Sequence, residues 1–138
     1  MLYQHILVLF NDKHDGEPLL QHAATLASKY QAKLSLCHLL SNYRLEDYVS
    51  DSLLDDDESR DVIAAKALLS HLVKTVAYPV TGCVMVADES PQQLEHCIEK
   101  EAVDLIVCGH TNRLLGRITS QAMRIINNTQ VDVLIKHI

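Results

Sequence analysis

Five short apolar runs alternate with longer segments in which apolar residues return every three or four positions. The runs are Ile6–Phe10, Leu34–Leu39, Cys83–Val86, Asp104–Gly109 and Val131–Ile135. Their length and continuity predict strands covered on both faces. Leu19, Ala23, Leu26, Ala27 and Tyr30 share one helical face, and Pro18 is expected in that helix's opening turn. Val62, Ala65, Leu69, Leu72 and Val76 mark a second helix. Ser90 and Pro91 are an N-cap and first-turn pair for a third, whose buried stripe is Leu94, Cys97 and Ile98. Met123, Ile125 and Ile126 lie in a fourth.

Ser41–Asp57 is polar and poorly periodic, and reads as a long connection. Asp55–Glu58 then places negative charge at the start of the second helix, where the dipole favours it. Strands separated by helices imply one α/β domain over residues 1–138, a doubly wound parallel sheet with helices on both faces. Ligands of such sheets bind at the carboxyl ends of strands where the winding reverses. The segments to inspect are therefore Asn11–Gly16 and Gly109–Thr119.

Composition narrows the function. The 138 residues are 48% hydrophobic, enough to fill a core, and the net charge is -6. An acidic surface argues against nucleic-acid and anionic-membrane partners. No apolar run approaches the roughly 18 residues that span a bilayer. Met1–His5 leads directly into the first strand, so no secretory signal is expected. The four cysteines form no CxxC pair, and three lie in apolar runs, as in a reduced cytoplasmic protein.

Candidate chemistry is sparse. Cys37 and His38 are strand neighbours and point to opposite faces, whereas Cys108 and His110 can share one. Two ligands without a second pair do not make a zinc site, so no metal is expected. His5 and His38 read as strand-end or hydrogen-bonded histidines. Ser28, Ser35, Ser90 and Ser120 lack a nucleophile-elbow context, and no catalytic residue is assigned. A receiver-like layout finds acidic residues at Asp12, Asp15 and Asp88 and a lysine at Lys136, but lacks a closing helix.

His5-Ile-Leu-Val, Tyr78-Pro79, Asp104-Leu-Ile-Val-Cys-Gly-His110 and Val131-Asp-Val-Leu-Ile135 resemble the universal stress protein family, in particular its A-like, non-ATP-binding subgroup. The resemblance implies a Rossmann-like sheet of order 3-2-1-4-5; the short Cys83–Val86 strand also suits an edge. It implies a homodimer through the last strand, with Val131, Val133 and Ile135 in the contact, and other protein partners including related stress proteins.

Nucleotide-binding members carry an Asp after strand one and a Gly-x2-Gly-x9-Gly-(Ser/Thr) loop after strand four. Here the Asp position falls on Asn11, followed by Asp12. Gly109 matches the first glycine, Asn112 the second, and Ala122-Met123 the last pair. Side chains at such positions block the approach of backbone amides to phosphate. Arg113 and Arg117 flank the loop and can pair with an anion, although surface arginines are the simpler reading. The crevice residues are thus Asn11, Asp12, Gly109, Asn112, Arg113 and Arg117. The resemblance implies a non-enzymatic stress-response protein without a cofactor; the alternative is an ATP- or AMP-binding member with a degenerate phosphate loop.

Overall fold

A computed structural model describes residues 2–40, 52–87, 91–110 and 129–138. Within them the elements are β1 (His5–Phe10), α1 (Lys13–Tyr30), β2 (Lys33–Leu40), α2 (Ser52–Val73), β3 (Gly82–Ala87), α3 (Pro91–Lys100), β4 (Leu105–His110) and β5 (Asp132–His137). The five strands form one parallel sheet of order β3-β2-β1-β4-β5, as expected. β3 is at one edge and β5 at the other. The expected last helix around Met123, Ile125 and Ile126 lies outside the described residues.

Alternation along each strand builds two cores. Ile6, Val8, Phe10, Leu34, Leu36, Leu105 and Val107 face α1 and α2, meeting Leu19, Leu20, Ala23, Leu69 and Leu72. Leu7, Leu9, Cys37, Leu39, Ile106 and Cys108 face the other way, meeting Leu94 and Ile98 of α3. Each large aliphatic chain fully buried here contributes about 1.5–3 kcal/mol of apolar burial. Both faces of the central strands are therefore dry, which explains why these runs show no polar alternation.

Two boundaries differ from expectation. α1 starts at Lys13, five residues before Pro18, which sits in its second turn. A capping box explains the early start: the Asp12 side chain accepts from the Asp15 amide, and the Asp15 side chain accepts from the Asp12 amide. Pro18 deprives only the carbonyl of the exposed His14 of its ladder bond. α2 starts at Ser52, so residues 52–57 belong to the helix and not to the polar connection. Strong helix formers such as Leu53 and Leu54 are compatible with that extension.

Candidate functional site

The carboxyl edge of the sheet gathers the β1–α1 turn, the ends of β2 and β4, and the end of β5. β1 ends where the chain turns at Asn11 and Asp12. Asn11 N donates to both Asp15 oxygens, at 2.9 and 3.1 Å. Asp12 N donates to Asp15 Oδ1 at 2.8 Å, and Asn11 Nδ2 donates to Oδ2 at 3.2 Å. One carboxylate thus gathers the main-chain donors of the turn, as a bound anion would. Burial pushes the Asp15 carboxyl above its ordinary range, against the bonds from Asp12 and Asn11 that favour its charge. Asp12 itself serves as the α1 N-cap, so its carboxylate is committed to the helix as well.

Gly109 lies within β4, opposite Lys136 of β5, and not in a loop beyond the strand. Its open side is taken by the chain's last residue. A Cβ on Gly109 would collide with Ile138 Cδ1 and come 3.2 Å from Ile138 Cγ1, with Leu19 Cδ1 at 3.4 Å. Ile138 is held there by its amide, which donates to the His110 carbonyl at 2.9 Å. Asn112, Arg113 and Arg117 lie outside the described residues, as do Ala122 and Met123. Of the six sequence-predicted crevice residues, Asn11, Asp12 and Gly109 are described, and all three sit at this edge.

Two buried histidines also lie towards the carboxyl ends of strands here, His38 within β2 and His110 at the end of β4. His38 lies against Phe10 with ring centroids 4.8 Å apart, and its Nδ1 has no hydrogen-bond partner. The ring packs on an aromatic and leaves Nδ1 unpartnered, while a backbone hydrogen bond at Leu39 agrees with the reading of His38 as hydrogen-bonded. Burial pushes its pKa down, against smaller upward pulls that include the Asp15 and Asp12 carboxylates. His110 is equally buried, with an unpartnered Nδ1, and its ring meets His137 edge-on at 5.1 Å. Among the described residues no three His, Cys, Asp or Glu side chains are grouped to hold a metal ion.

At the side of the sheet, among the described residues, β5 has a strand neighbour only in β4. Val131, Val133 and Ile135 are half-buried against the α3-side core. No helix among the described residues is long and apolar enough to cross a membrane. Sequence reasoning missed Asp15 and Ile138 as occupants of the crevice. The Asp12-x-x-Asp15 spacing carried the first signal; Ile138 needs the β4–β5 register, which spacing alone does not supply.

A family model described as the universal stress protein family matches residues 2–137. Universal stress protein A of Escherichia coli strain K12 is 32% identical over 136 residues, covering 98% of this chain and 94% of that protein. A universal stress protein structure from Archaeoglobus fulgidus superposes with a TM-score of 0.71 at 23% identity, covering 98% of this chain and 94% of that one. A second A. fulgidus structure, a complex with dAMP, gives 0.69 at 22% identity, covering 98% of each chain. The chain belongs to the universal stress protein family.

Proposed function

We propose that this chain is a cytoplasmic stress-response protein that works through protein–protein contacts and does not bind ATP. The observation that carries the reading is the Asp15 carboxylate on the amides of Asn11 and Asp12. An incoming phosphate would meet a fixed negative charge where it needs donors. Ile138 over Gly109 and the side chains of Asn112 and Ala122 in the sequence support the same conclusion. With no nucleotide seated, no reaction is catalysed at this edge. Four free cysteines, two of them buried, suit a reducing compartment.

The partners then meet the protein's outer surfaces, and its own copy is the first of them. An edge strand with apolar side chains invites pairing, and a two-fold axis lets Val131–Ile135 pair with itself, antiparallel. Sedimentation at micromolar concentration is expected to give a dimer; a monomer would reject this part of the reading.

The second reading, a nucleotide-binding member, draws on the A. fulgidus complex with dAMP and on the unpartnered Nδ1 atoms of His38 and His110 at the same edge. Calorimetry with Mg-ATP, ADP and AMP separates the two. No binding tighter than about 10 μM, roughly -7 kcal/mol, is expected. A tighter constant for any of them overturns the first reading.

A further inference from the structure

The amino-terminal edge of the sheet, opposite the crevice described above, holds a second polar constellation. His5 opens β1, and Ser35 lies in β2 opposite Leu7. Strand alternation puts both side chains on the α3 face. His5 Nε2 is 2.7 Å from Ser35 Oγ, and His5 Nδ1 is 2.7 Å from the Glu101 carbonyl oxygen. A carbonyl oxygen only accepts, so Nδ1 carries the proton of the neutral ring. Nε2 is then an acceptor, and the Ser35 hydroxyl donates to it. Asp104 fixes the backbone beneath the ring: its carboxylate accepts from the amides of His5 at 3.0 Å and Gln4 at 2.9 Å, and its own amide donates to the His5 carbonyl at 3.1 Å. Nucleophile, base and orienting group therefore stand in order, each within hydrogen-bond reach of the next.

Ser35 and His5 line a cavity of about 390 Å³, together with Leu7, Val84, Cys97 and Thr81. That volume lies in the range of small-molecule sites, about 300–1,000 Å³. Gly82 lies beside Ser35, and a Cβ there would make ordinary van der Waals contact with Ser35 Oγ at 3.4 Å. Lys33 and Glu101 give the lining one charge of each sign, so the cavity selects for neither anion nor cation.

We propose that this cavity is a site in which Ser35, with His5 as general base, accepts the acyl group of small uncharged esters. The Ser35 Oγ lone pair attacks the ester carbonyl carbon as its proton passes to His5 Nε2. The tetrahedral adduct collapses, its bond to the alcohol oxygen breaks, and the alcohol leaves with the proton from Nε2. Water then attacks the acyl carbon of Ser35 and gives its proton to Nε2. The acyl–Oγ bond breaks, Ser35 recovers its proton, and a carboxylic acid leaves. The Thr81 hydroxyl lies 3.5 Å from Ser35 Oγ and donates to the Leu34 carbonyl at 3.3 Å, which fixes the cavity wall beside the nucleophile. This chemistry is separate from the carboxyl edge and does not depend on nucleotide binding.

The test is incubation of the full chain with a fluorophosphonate probe, followed by peptide mapping, alongside release of p-nitrophenol from p-nitrophenyl acetate. The probe is expected on Ser35, and its addition should stop ester turnover. Ser35→Ala should lose both signals. His5→Gln, checked for folding by circular dichroism, should slow labelling about 100-fold, the lower end of a general-base contribution. Labelling elsewhere, no labelling, or a rate indifferent to His5→Gln would overturn the proposal.

Discussion

The Asp15 carboxylate and the Asn11 amide are 2.9 Å apart, and this bond closes the turn between β1 and α1 from within. The same carboxylate completes the capping box with Asp12. Asp15→Ala should therefore release the main-chain donors of Asn11 and Asp12 and fray the first turn of α1. Loss of a cap costs about 0.5–2 kcal/mol. Urea unfolding should show that drop in midpoint with little change in slope. An unchanged midpoint would mean that the turn is held by other contacts.

His38 makes the fold sensitive to acid. Its folded pKa lies below the ordinary value because burial disfavours the imidazolium. The unfolded chain then binds the proton more readily. Stability is full above the ordinary value of 6.5 and falls as pH drops from there through the lowered folded value. His38→Leu removes both the titration and the unpartnered Nδ1 while keeping similar bulk. Thermal melts between pH 7 and pH 5 should show a shallower loss for the variant. Parallel curves would assign the acid sensitivity to other groups.

Much of the fold was legible because the strand signal is local. Ile6–Phe10 is apolar at every position and Leu34–Leu39 at all but Ser35 and His38, as expected of strands in a sheet covered on both sides. The edge position of Cys83–Val86 came from the family resemblance, since β3 runs over Gly82–Ala87 and is as long as the central β1 and β4. The start of α1 was misplaced because Pro18 is a strong first-turn signal and outweighed the acidic pair at Asp12 and Asp15. At the site, counting glycines identified Gly109 but not its occupant. Ile138 is 29 positions further along and reaches Gly109 only through the β4–β5 pairing. The meeting of His5 with Ser35 is likewise a product of strand register, invisible to motif spacing.

The four thiols should separate by burial. Cys37 and Cys108 are buried, and desolvation pushes both thiols up, that of Cys108 to about 11. Cys83 is exposed and Cys97 half-buried, with smaller upward shifts from the same cause. Since the thiolate is the reactive form, a disulfide reagent at pH 8 should modify Cys83 and Cys97 in the native protein. Cys37 and Cys108 should react only at the rate of unfolding. Mass mapping that finds Cys108 among the early products would contradict this packing.

Gly109 and Ile138 offer a direct test of what fills the crevice. The Gly109 backbone is not in the left-handed region, so an alanine there meets no backbone penalty of that kind. Its methyl group instead meets the Ile138 side chain, which must move while its amide remains bonded to the His110 carbonyl. Overpacking of this kind costs about 1–3 kcal/mol, and contact with Cδ1, the far end of the Ile138 side chain, should keep the cost near the lower figure. Ile138→Ala empties the space. Gly109→Ala should then cost less in that background than in the wild type. The difference, read as a coupling energy from chemical unfolding of the four proteins, should exceed about 0.5 kcal/mol. Additive effects would show that Ile138 does not occupy the face of Gly109 in solution. The glycine would then be open to an outside ligand, and the strongest steric argument against a nucleotide at this edge would be lost.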